Sequence, residues 1–257
     1  MSPRLAVSQR FAVSQRFAAL VALALVLGCS KPWMEPERAP GRTEVVVVPV
    51  PRGPEPPPAL GPAEVAALAR AARPDVILVE VPPADWDRVR QAIAANTPDP
   101  WLAAMPDVRA LVEAAAAMGV PVEPVSGWDP EIGRAWRTFV AGTGARDPFV
   151  QRAREHRRRR DASEGDDLDW VLGTPRSRVV AWEAEALESA IPDRLGAAAP
   201  SRVGSAHVAH IREAMRAHQG QRVFIAIDAR YAATVERAAA EPDGRVVSPL
   251  AFTDALD

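Results

Sequence analysis

Cysteine and lysine are nearly absent: the 257 residues contain one of each, Cys29 and Lys31. A single thiol excludes an intramolecular disulfide, so the fold must be held by its core and its hydrogen bonds in any redox compartment. The apolar run at residues 17–28, FAALVALALVLG, falls short of the roughly 20 residues a membrane-spanning helix needs. There is no G-x-S-x-G nucleophile elbow, and Gly142-Thr143-Gly144 lacks the preceding strand that a phosphate-cradling loop requires. Positive charge is not in excess either, with a formal net charge of −2. Setting aside Arg4, Arg10 and Arg16 near the start leaves 28 basic residues against 33 acidic ones, a net charge of −5. A mildly acidic chain offers no electrostatic basis for nucleic-acid binding. What is present is ordinary for a globular domain, 48% hydrophobic and 25% charged residues, which is enough to bury a core.

The first 16 residues carry arginines and no acid, and the apolar run behind them ends directly at Cys29. A basic segment followed by a short apolar one is the layout of a secretory signal. Val26-Leu27-Gly28-Cys29 resembles the lipobox of bacterial lipoproteins, although Leu27 is bulkier than the usual occupant of its position. The resemblance implies cleavage before Cys29 and lipidation of its sulfur. Attachment would then persist, because several acyl chains anchor stably where one anchors marginally. Ser30 resembles the residue that follows the cysteine in lipoproteins sorted to the outer membrane, so the expected location is the cell envelope, at the outer membrane and facing the periplasm. Ala-Val-Ser-Gln-Arg-Phe occurs at 6–11 and again at 12–17, a local duplication rather than a solenoid period. The expected division is a lipoprotein signal peptide over 1–28, a proline-rich charged tether over 29–42, and one α/β domain over 43–257.

Within that domain, Glu44–Val50 and Asp75–Val81 are continuous apolar runs of the kind found in strands buried on both faces. Helical spacing follows Pro62 to Arg73, and helices are expected over 84–95 and over 106–118, the latter opened by Pro106 and closed by Gly119. Val120–Val125 contains two prolines and reads as an edge strand. From Asp129 to Leu195 the chain is mostly helical with weak punctuation. It includes the basic run Arg152–Arg160, which is balanced by the acid-rich segment after it and read as a solvated face. A helix running from Ser205 through His218, a strand over Arg222–Asp228, a helix over 230–240 and a short strand at Val246-Val247 complete the pattern. Alternating strands and helices predict a mostly parallel central sheet with helices on both faces.

Arg73-Pro74-Asp75-Val76-Ile77-Leu78-Val79-Glu80, Ala117–Val122 and Arg222–Ile227 together resemble, in order, three segments of the superfamily that includes TraB/GumN and Tiki proteins, ChaN haem-uptake lipoproteins and erythromycin esterases. The resemblance implies an α/β domain with Glu80 at a functional strand end. It also implies histidines after the first and last strands, where this chain has Pro49-Val50-Pro51-Arg52 and Asp228-Ala229-Arg230-Tyr231. Arginine and tyrosine cannot replace imidazole as a base or a metal ligand.

Ligands of open parallel sheets bind beyond the carboxyl ends of the strands. That rule gathers Glu80, Ser126, Asp228, Arg230, Tyr231 and Arg52 into one candidate pocket. Glu80 at the end of an apolar strand needs a partner, because an unpaired buried carboxylate is costly; it is either a structural ion pair or a ligand contact. The missing histidines favour a binding, non-catalytic domain for an unidentified small molecule or protein. The alternative is a hydrolase using Glu80 and Asp228 as acid and base, with Arg52 or Arg230 steadying an anion. A third reading is haem or metal capture by His207 and His210, three residues apart on one helix, against which stands their expected role as surface or capping histidines.

Overall fold

The computed structural model describes residues 38, 40–51, 60–148, 150–152, 155, 168–173, 201–241 and 243–256. The leader, Cys29, most of the tether, Arg52 and most of the basic run 152–160 lie outside the described residues.

In chain order the elements are β1 (Glu44–Val50), α1 (Pro62–Ala72), β2 (Val76–Val79), α2 (Trp86–Ala94), α3 (Pro100–Ala104), α4 (Pro106–Met118), β3 (Val122–Pro124), α5 (Pro130–Ala141), α6 (Leu168–Leu172), α7 (Ser201–Ala217), β4 (Arg222–Asp228), α8 (Ala229–Ala239) and β5 (Arg245–Val247). Short 3-10 turns at Pro83–Asp85, Thr143–Arg146 and Pro249–Ala255 accompany them. Proline opens α1, α3, α4 and α5, where its missing N–H has no helical partner to lose. Gly119 stops α4 at φ 70°, a left-handed position that glycine adopts without cost.

The strands form one all-parallel sheet in the order β3-β2-β4-β1-β5, with β4 bonded to β1 and β2. Every residue of β1, β2 and β4 is buried, whereas β3 is half-buried at the edge. Alternate residues divide between two faces. Val46, Val48, Ile77, Val79, Phe224 and Ala226 pack toward α1, α2 and α4, together with Phe252 from the last 3-10 turn. Val45, Val47, Leu78, Val223, Ile225 and Ile227 pack toward α7 and α8. The uninterrupted apolar strands follow from this arrangement, since a sheet covered on both faces has no solvent side.

A buried charge network closes the amino ends of the central strands. The Arg222 guanidinium donates from Nε to Glu44 Oε2 at 2.9 Å and from Nη1 to the Ala72 carbonyl at 2.8 Å. Its Nη2 lies 2.8 Å from the same Glu44 oxygen, and both residues are at most 2% exposed. The Arg222 N–H donates to Asp75 Oδ2, which also receives Arg38, so the start of the described chain is pinned beside β2.

Candidate functional site

The topology marks the carboxyl end of β4. The connections leaving β1 and β2 run toward the β3 edge, whereas the one leaving β4 runs toward β5. The chain after β4 therefore diverges from both neighbours, which is the condition that opens a crevice in sheets of this type. Glu80, Asp228, Arg230 and Tyr231 meet there.

Glu80 follows β2 directly, is 8% exposed, and accepts the Asp228 N–H on Oε2 at 2.7 Å. Its Oε1 faces Nε2 of His207 at 3.5 Å. His207 is wholly buried on α7 and accepts the Gly127 N–H on Nδ1 at 2.5 Å. That donation makes Nδ1 an acceptor and leaves the ring proton on Nε2, turned to the Glu80 carboxylate. Tyr231 packs edge-on to the imidazole, with centroids 4.7 Å apart and rings at 83°.

Asp228 is the N-cap of α8. One oxygen accepts the Arg230 N–H at 2.9 Å, and the other accepts Nε of the same arginine at 2.9 Å as well as its Nη2. The Asp228 carboxylate holds the Arg230 guanidinium still further above its already high range, against burial, which acts in the opposite direction. The Arg230 charge therefore persists at every pH at which the protein is folded. Its side chain is 38% exposed and stacks 5.6 Å from the Tyr231 ring. Among the described residues Nη1 of Arg230 makes no hydrogen bond.

Ser126 is buried as a turn residue: its N–H donates to the Val81 carbonyl and its Oγ accepts the Trp128 N–H at 3.1 Å. It is thus structural, and it delivers Gly127 to His207. A Cβ on Gly127 would lie 2.5 Å from Ala206 Cβ and 2.6 Å from the His207 nitrogen and the Val203 carbonyl, all on α7. Gly127→Ala is therefore expected to cost about 1–3 kcal/mol and to weaken the seating of His207. Urea unfolding with histidine NMR would show both changes. An unaltered midpoint and unaltered imidazole shifts would mean that the approach of this turn to α7 is looser than described.

One expectation needs correction. His207 is neither a surface nor a capping histidine, because Val203, His207, Ile211 and Ala214 form one buried stripe of α7 with helical spacing. His207 and His210 each keep one buried ring nitrogen, Nε2 and Nδ1, that makes no hydrogen bond among the described residues. Among the described residues no group of three or more His, Cys, Asp or Glu side chains is placed to hold a metal ion, and no helix is long and apolar enough to cross a membrane. Arg52 lies outside the described residues. No family model, curated protein or solved structure matches the chain.

Proposed function

We propose that this is a lipid-anchored envelope protein, held by Cys29 at the outer membrane and facing the periplasm, whose divergent TraB/ChaN-like domain binds rather than catalyses. The ligand is an anionic small molecule or the acidic group of a partner, received by Arg230 at the carboxyl end of β4.

What favours binding over hydrolysis is the commitment of the acids to partners inside the domain. Glu80 serves Asp228 N–H and His207, and Asp228 caps α8 and orients Arg230. A general base must reach the proton it abstracts, and neither carboxylate presents an uncommitted oxygen. Arg230 differs in kind. A partly exposed guanidinium fixed by a carboxylate, with one nitrogen left unbonded, is pre-organised for a second anion.

Citrate and inorganic phosphate serve as probes in calorimetric titration of the purified chain. Arg230→Gln, which retains a donor for Asp228, is expected to weaken anion binding about 10–100-fold, the loss of one or two charge-assisted hydrogen bonds. Equal affinity in the variant would remove Arg230 from the site. Turnover of p-nitrophenyl acetate or p-nitrophenyl phosphate that Glu80→Gln abolishes would replace binding with catalysis.

A further inference from the structure

We propose a second site at the opposite pole of the domain: the amino ends of the strands dock on an anionic phospholipid surface, around a groove at Gly41. A groove of about 530 Å³ opens there between the end of α7 and the start of β5, lined by Gly41, Arg212, Arg216, Gly220, Glu241 and Asp243. Its two arginines are balanced by two acids, one of which already binds Arg212, so the charge that meets a phospholipid surface comes from the arginines around the groove. Parallel topology is the reason for the clustering, since every helix returns its C-terminus to the amino ends of the strands, where arginine complements the helix dipole. Exposed Arg42, Arg73 and Arg245 precede or begin β1, β2 and β5, and Arg216 stands in the last turn of α7. Of the acids at or beside the strand starts, Glu44, Asp75 and Glu241 are already bound by Arg222, Arg38 and Arg212, which leaves Glu123, facing His218, and Asp243 to set against Arg42, Arg73, Arg216 and Arg245. This pole is basic in a chain whose total charge is negative.

The occupant follows from where the chain leaves the domain. Arg38 is pinned to Asp75 and to the Arg73 carbonyl at this same pole. It stands nine positions after Cys29, a reach of about 30 Å at full extension. The inference rests on Cys29 being lipidated, and it adds an orientation that a flexible tether alone does not impose: basic pole on the headgroups, Arg230 some 23 Å further out across the length of β4. Attraction of this kind acts within a Debye length and is screened by salt.

The single cysteine makes the test direct, because with Cys29 lipidated an introduced cysteine is the only thiol. The lipidated full chain, carrying Gln219→Cys at the basic pole or Ala84→Cys after β2, is labelled with fluorescein. It is then reconstituted into phosphatidylcholine vesicles with or without phosphatidylglycerol and with a rhodamine-headgroup lipid as acceptor. On phosphatidylglycerol vesicles at low salt, energy transfer from position 219 is expected to be about twofold that from position 84, given their separation along the strands. The difference should collapse in 0.5 M salt, on pure phosphatidylcholine, and in Arg42→Gln/Arg216→Gln chains. Equal transfer from both positions on anionic vesicles, or a difference unchanged by salt, overturns the docking while the anchor stands. Mass spectrometry of the Cys29 peptide reads the anchor separately, and an unmodified cysteine overturns both.

Discussion

Arg222→Ala is expected to remove about 3–5 kcal/mol of stability, a large share of the 5–15 kcal/mol typical of one domain. The loss is not chiefly that of an attraction. Glu44 is 2% exposed and would be left charged in the core, with Arg245 Nη1, 3.5 Å away, as a remaining cation. The Ala72 carbonyl would lose a donor at the same time, and Phe252 would lose the guanidinium that lies 5.9 Å over its ring. Glu44→Leu combined with Arg222→Leu should recover most of the loss, because replacing both members of a buried pair with apolar groups is often neutral. Urea unfolding followed by circular dichroism measures both variants. An Arg222→Ala midpoint within about 1 kcal/mol of the parent would show that the network does not hold the strand starts together.

Both charges in that network stand at positions the sequence displays, yet their pairing was not readable from it. Glu44 and Arg222 each open an apolar strand and look like residues at the solvent edge of a loop. Only the register of β1 on β4, with Glu44 opposite Arg222, makes them neighbours. The strands themselves were legible for a simple reason. A sheet covered on both faces demands unbroken apolar runs, and 44–50, 75–81 and 222–228 are the runs of that kind in the domain, although the second forms a strand only over Val76–Val79. Of their order, a central 222–228 beside the strand at 75–81 was expected and is found, whereas its pairing with β1 on the other side was not legible, since no local pattern encodes it. The helices came close to their expected bounds where proline and glycine punctuate them, as at Pro62, Pro106 and Gly119. The C-terminal 3-10 turn at 249–255 was missed, although its Phe252 is fully buried, because one aromatic in a short segment has no period.

The candidate site was legible in part. Glu80, Asp228, Arg230 and Tyr231 could be gathered because all follow strand ends, and a parallel sheet brings strand ends together. Their roles were harder to read. Asp228 stands immediately before a helix, and an aspartate there is an N-cap before it is anything else. Ser126 is a turn residue for a similar reason, its hydroxyl accepting a main-chain N–H two residues on. The two roles change the chemistry of the crevice, because residues that resemble an acid–base pair are occupied in holding one arginine in place.

His207 is the residue on which that arrangement turns, and His207→Ala is expected to cost about 3–4 kcal/mol. Three losses coincide: a cavity opens in the stripe between Val203 and Ile211, the Gly127 N–H loses its acceptor, and Glu80 Oε1 loses the imidazole facing it. His207→Leu separates them, since it fills much of the volume and removes only the polar contacts, so its cost should be smaller than that of alanine by the cavity contribution. A double-mutant cycle with Glu80→Ala should return a coupling of about 0.5–3 kcal/mol. Amide exchange at Gly127 should accelerate in both His207 variants, and anion affinity at Arg230 should fall along with it if Glu80 and Asp228 hold that arginine as one unit. Additive costs, or an unchanged Gly127 amide, would separate His207 from the strand-end cluster and leave Arg230 dependent on Asp228 alone.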